Sequence, residues 1–123
     1  MSDDVVRSPE DLFEGFPATL AVLGELERAV SDLGEISVRV TKSQVAFRRR
    51  KGFAYLWRPG QYLASDVPAV VSIALDHEVE SERFKEVAHP APTVWMHHLE
   101  IRDPGEVDDE VRGWLADAYA GAG

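Results

Sequence analysis

Ile36-Ser37-Val38-Arg39-Val40-Thr41-Lys42-Ser43-Gln44-Val45-Ala46-Phe47-Arg48-Arg49-Arg50-Lys51-Gly52-Phe53-Ala54-Tyr55-Leu56-Trp57 is the stretch that decides the fold. Just before it, Leu20, Leu23, Leu26, Val30 and Leu33 recur at helical spacing, and Gly34 supplies a stop. From Ile36 the apolar period drops to two. Ile36, Val38 and Val40 alternate with Ser37, Arg39 and Thr41, the pattern of a strand with one buried face. A second strand follows over 44–50 with Val45 and Phe47 inward, and Lys51-Gly52 reads as a hairpin turn closed by a positive-φ glycine. The third strand, Phe53–Trp57, is apolar on both faces and is expected to be central. A helix followed directly by a tightly linked strand series predicts antiparallel pairing in an α+β layer.

The flanks extend this reading. Ser8-Pro9-Glu10-Asp11 opens a short helical turn, and Pro17 starts the helix that runs to about residue 33. Downstream, Arg58-Pro59-Gly60-Gln61 matches a type II turn, and Ala69–Leu75 is a fourth strand. Residues 81–87 read as one or two helical turns, and His89-Pro90-Ala91-Pro92 as extended chain. A fifth strand over 94–101 puts Trp95, His97, Leu99 and Ile101 on one face and Val94, Met96, His98 and Glu100 on the other. Asp103-Pro104-Gly105-Glu106 resembles a capping box, followed by the stripe Val107, Val111, Trp114, Leu115, Ala118 and Tyr119 of a helix over 104–119. The expected architecture is α+β: a mainly antiparallel sheet of about five strands packed with amino- and carboxy-terminal helices. Residues 1–8 are expected to be flexible, 9–120 to form one domain, and 121–123 to fray.

Composition narrows the function classes. The chain has 123 residues, suited to one domain, and no cysteine, which excludes disulfides, thiol nucleophiles and iron–sulfur clusters. No apolar run approaches the ~18 residues of a membrane span. The start Met1-Ser2-Asp3-Asp4 lacks an apolar leader core, so a cytoplasmic protein without a membrane partner is expected. The net charge of −9 is unevenly spread. Residues 1–35 sum to −7 and residues 66–123 to −9. Residues 36–65 contain no acid and carry Arg39, Lys42, Arg48, Arg49, Arg50, Lys51 and Arg58, a balance of +7. Such a run is either a solvated face, a partner for the acidic helices, or a local anion-binding surface.

The runs Val38–Phe47, Phe53-Ala54 and Trp95-Met96-His97-His98 resemble a bacterial family catalogued as domain of unknown function 5655 and sometimes labelled transport-related. Asp109-Glu110-Val111 with Trp114-Leu115 and Ala118-Tyr119 also fits, and the resemblance covers about residues 10–120. It implies a bacterial single-domain protein and carries over neither an activity nor catalytic residues. Ten arginines against three lysines agree with a GC-rich genome.

The candidate residues come from the basic segment and the paired histidines. His97 and His98 point to opposite faces of one strand, so they do not chelate one metal together. His98 with Glu100 and His77 or His89 is the sole spacing that suggests a metal, and no metal or other cofactor is expected. His97, on the face of Trp95 and Leu99, reads as a core histidine. Lys42 follows a strand beside Thr41, Ser43 and Gln44, and can hold a phosphate or carboxylate as a point charge without a P-loop. Lys42, Gln44, Arg48, Arg50, Arg58 and His98 are therefore the expected ligand-binding residues, with Lys42 and His98 lining one pocket at the end of the sheet. The leading reading is non-enzymatic binding of an anionic small ligand or an acidic protein surface. The alternative is a small enzyme using Lys42 and His98 on an anionic substrate. Nucleic-acid binding, with Phe47, Phe53, Tyr55, Trp57 and Tyr62 as stacking platforms, ranks below both because the chain is acidic overall.

Overall fold

The computed structural model describes residues 8–61 and 64–123. The expectation for residues 1–7, and the role suggested for Tyr62, fall outside them. Helix α1 (Pro9–Leu12) is closed by a true capping box: the Ser8 hydroxyl accepts from the Asp11 amide while the Asp11 carboxylate accepts from the Ser8 amide. Helix α2 (Pro17–Ser31) follows. Gly34 then turns the chain with φ of +145°, and the hydroxyl of Tyr119 occupies the space a Cβ would need there. That hydroxyl donates to the Glu35 carbonyl at 3.0 Å, tying the end of α2 to the last helix.

The sheet has six strands: β1 (Ser37–Val40), β2 (Gln44–Arg48), β3 (Gly52–Trp57), β4 (Ala69–Leu75), β5 (Phe84–Ala91) and β6 (Val94–Ile101). They lie in the order β1-β2-β3-β4-β6-β5, and every pair is antiparallel. The strand beyond the five expected is β5, which replaces the helical turns read at 81–87. The chain instead returns as an edge strand, where Pro90 has no ladder amide to lose.

Three turns differ from the sequence reading. The hairpin after β2 is closed by the Arg49 amide donating to the Lys51 carbonyl at 3.1 Å, and Gly52 opens β3 without a positive φ. A Cβ at Gly52 would meet the Tyr55 hydroxyl, so a larger residue there needs the Tyr55 ring to move. Pro59–Gln61 forms a single 3-10 turn, with the Gln61 amide donating to Arg58, rather than a type II turn. Asp103 likewise caps only a 3-10 turn, Pro104–Glu106, with Glu106 accepting from the Arg102 amide. The last helix, α3 (Asp109–Gly121), begins later and has its own cap, Asp108, which accepts from the Val111 amide. Ala122 of the tail is buried, and its carbonyl accepts from the Arg50 amide at 3.0 Å.

Helices α2 and α3 lie on one face of the sheet. The residues that meet them are Val45 and Phe47 of β2, Leu56 of β3, Val71, Ile73 and Leu75 of β4, Phe84 of β5, and Leu99 and Ile101 of β6. Val22, Leu23, Leu26 and Val30 of α2 and Val111, Trp114, Leu115 and Ala118 of α3 complete that core. The apolar stripes read from the sequence are thus the faces that bury. Trp114 stacks on Phe84 with ring centroids 4.5 Å apart, so α3 is held to the sheet edge as well as to its centre. Trp114→Ala is expected to cost about 3–5 kcal/mol in equilibrium urea unfolding. A loss below about 1 kcal/mol would mean that α3 is peripheral to the core.

Candidate functional site

The register places one row of side chains across the face that no helix covers. Arg39 pairs with Ala46, Ala46 with Tyr55, Tyr55 with Ser72, Ser72 with His98, and His98 with Glu86. Directly paired residues share a face, so these six residues form one line from β1 to β5. Gln44, Trp57, Val70 and Glu100 make a second line beside it. Ala46 and Val70 are buried yet lie outside the helix-covered core, because neighbouring side chains on this open face shade them.

At its centre the open face holds a polar chain. The Trp57 indole donates to the Ser72 hydroxyl at 2.9 Å, and Ser72 meets His98 Nδ1 at 2.7 Å. Burial lowers the His98 pKa, with His97 adding to the lowering and Glu86 opposing it. Ser72 is only 3% exposed, and its oxygen is held by the indole, so it is no nucleophile within reach of a substrate. Its neighbour His97 is the core histidine expected: it is fully buried, accepts from the Val79 amide at Nε2, and donates from Nδ1 to the Trp95 carbonyl.

The six residues singled out from the sequence do not form one site. Lys42 stands exposed in the turn between β1 and β2, while His98 is on β6. Strands β3 and β4 separate β2 from β6, three strand spacings or about 14 Å. Lys42 and His98 therefore do not converge on one anion. Gln44 lies on the open face, Arg48 at the far end of β2, and Arg50 in the exposed hairpin. Arg58 stacks its guanidinium 3.7 Å over the Phe16 ring, away from both. His77 bonds to Asp76, and His89 stacks on Trp95 at 3.9 Å, so neither approaches His98 and Glu100. Among the described residues no group of three histidines or acids is placed to hold a metal ion.

What the basic residues do share is the lack of an acid partner. Outside residues 36–65, Arg28, Arg83, Arg102 and Arg112 each form an ion pair; Arg83 bridges Asp108 and Glu110 at 3.0 and 2.9 Å. Within that segment, Arg39, Lys42, Arg48, Arg49, Arg50, Lys51 and Arg58 pair with no acid among the described residues. Arg49 instead donates to the Tyr119 carbonyl and lies 4.5 Å over the Tyr119 ring. The acidic helices do not neutralise the basic strands. Beside the free edge of β1, a shallow groove is lined by Glu35, Ile36, Ser37, Arg49, Arg50, Tyr119 and Gly123.

The depressed His98 pKa has a signed consequence for stability. The unfolded histidine titrates near its ordinary value of about 6.5 and the folded one lower, so the unfolded state binds more protons as pH falls. The contribution of the neutral ring is complete above that value and is lost as pH drops through it toward the folded pKa. Wild-type protein should lose stability as pH falls below about 6.5, and His98→Gln should flatten this dependence in thermal unfolding. An equally steep profile in the variant would assign the loss to other groups.

No curated protein and no solved structure matches the chain. The match that exists is to a family description, and it spans residues 9–121, from the first helix through the last. That span contains every strand of the sheet and both helices packed on it, and on this match the chain belongs to the family "Domain of unknown function (DUF5655)".

Proposed function

We propose that the domain is a non-enzymatic binding module that takes an acidic polypeptide segment along the basic β1–β2 edge and its hairpin. The observation that carries this reading is that none of the seven cations of residues 36–65 forms an ion pair with an acid among the described residues, in a chain whose net charge is −9. An acidic segment lying on this edge would neutralise charges that no ion pair among the described residues compensates. The free side of β1 adds unpaired backbone groups on which an extended segment can form a further strand.

A polypeptide fits better than the other readings. A small-ligand site needs a concavity around Lys42, and Lys42 projects from an exposed turn. The enzyme reading needed Lys42 and His98 together, and they lie on opposite sides of the sheet's centre. A long nucleic acid would run from the basic edge onto the rest of the molecule, where residues 1–35 and 66–123 sum to −16 (−7 − 9).

A short oligo-glutamate peptide, titrated while amide chemical shifts are recorded, tests the proposal. Shifts should concentrate between Ser37 and Lys51 and shrink as salt rises. Arg48→Glu combined with Arg50→Glu should weaken the interaction at least about tenfold while leaving the unfolding temperature near that of the wild type. No binding at low salt, or binding unchanged in this variant, would overturn the proposal.

A further inference from the structure

The open face of the sheet is built to be complementary to itself. Six strands place the midpoint of the sheet between β3 and β4. From that midpoint the central row reads Tyr55, Ala46, Arg39 in one direction and Ser72, His98, Glu86 in the other. Large therefore mirrors small at the first position, small mirrors large at the second, and a cation mirrors an acid at the third. Tyr55, Met96 and His98 are half-buried, and at the hairpin end of the sheet Tyr55 and Met96 line a cavity with Asp117, Ala118 and Gly121 of α3.

We infer that this face packs against the same face of a second copy about a two-fold axis parallel to the strands, lying between β3 and β4. That axis lays Tyr55 over the partner copy's Ser72 position, sets the His98 ring over Ala46, and brings Arg39 to Glu86, each twice by symmetry. The other in-plane axis, across the strands, would stack Arg39 on Arg39, Glu86 on Glu86 and Tyr55 on Tyr55. Charge and size both reject it. Two twisted sheets pack at about −30° and diverge at their corners, so the rim positions need long side chains to close the gap, which Arg39 and Glu86 supply. Lys85 follows the same rim beside Glu86 and Glu100, leaving it with one net negative charge. The face spans five strand spacings, about 24 Å, by roughly 15 Å along the strands, so a pair buries on the order of 1,000 Å² in total. An interface at the low end of specific ones gives a dimer that dissociates on dilution.

The pairing differs from the acidic-partner reading and does not depend on it. The hairpin cations Arg49, Arg50 and Lys51 lie outside the row that the two-fold axis buries. Sedimentation equilibrium of the full chain across a concentration series at low salt reads the assembly. The expected mass rises toward twice the 13.7 kDa of one chain. Arg39→Glu and Glu86→Arg should each weaken the dimer at least about tenfold, and the double exchange should bring it back to within about threefold of wild type. Both positions are exposed, so the fold is retained, and circular dichroism checks this. A chain that stays monomeric throughout, a dimer indifferent to either single change, or a double exchange that fails to restore association would each overturn the inference. Binding of the oligo-glutamate probe to the Glu86→Arg variant separates this outcome from the other proposal, because that change leaves the Arg48–Lys51 hairpin intact.

Discussion

Seven consecutive cross-strand pairs, from Ala69 with Ile101 to Leu75 with Trp95, lock β4 to β6 at the heart of the sheet. Everything else follows from that register. It puts Val71 with Leu99 and Ile73 with His97 under the helices, and Ser72 with His98 on the other side. A slip by one residue would send Ser72, His98 and Glu100 into the core and expose Val71, Ile73 and Leu99. The buried polar groups oppose the slip. His97 has both ring nitrogens hydrogen-bonded only where it stands, and an unpaired buried imidazole would cost on the order of 1–3 kcal/mol.

The same register separates charge. Strands β1 to β3 come from the segment without acids, whereas β6 and the helices carry a net negative charge and β5 carries none. Because consecutive antiparallel strands are neighbours, a block of basic sequence becomes a basic side of the sheet. The arginines embedded in acidic sequence behave differently. Arg83 is clamped between Asp108 and Glu110, and its backbone precedes Phe84, so one residue joins the start of β5 to the start of α3. The contrast is physical: cations close to acids in space pair and position elements, and those held apart by topology remain available.

Much of this was legible in the sequence. Helical periodicity identified α2 and the stripe of α3, alternation identified β1, β2 and the two faces of β6, and β3 was read as a strand apolar on both faces. The opposite facing of His97 and His98 followed from strand geometry alone. Residues 81–87 were misread because a run of glutamates has no apolar alternation to announce a strand. Only pairing with β6 makes Phe84–Ala91 one, which is a tertiary effect. The Lys42–His98 pocket failed for a related reason. Side-chain facing can be read along a single strand, but the distance between two strands depends on sheet order, and β3 and β4 come between them. The Trp57–Ser72–His98 chain was missed too, since Ser72 inside an apolar strand carries no motif; its position one pairing from His98 emerges only from register.

The central claim is that two sequence-adjacent histidines occupy opposite sides of this sheet. Nuclear Overhauser contacts from their ring protons test it directly. The His97 ring should contact Phe84, whose centroid lies 4.8 Å away, and the His98 ring should contact the Trp57 indole at 6.2 Å between centroids and nothing on α3. Contacts from His98 to Phe84 or Trp114 would mean that β6 is out of register, and with it the open face and the pairing surface assigned to it.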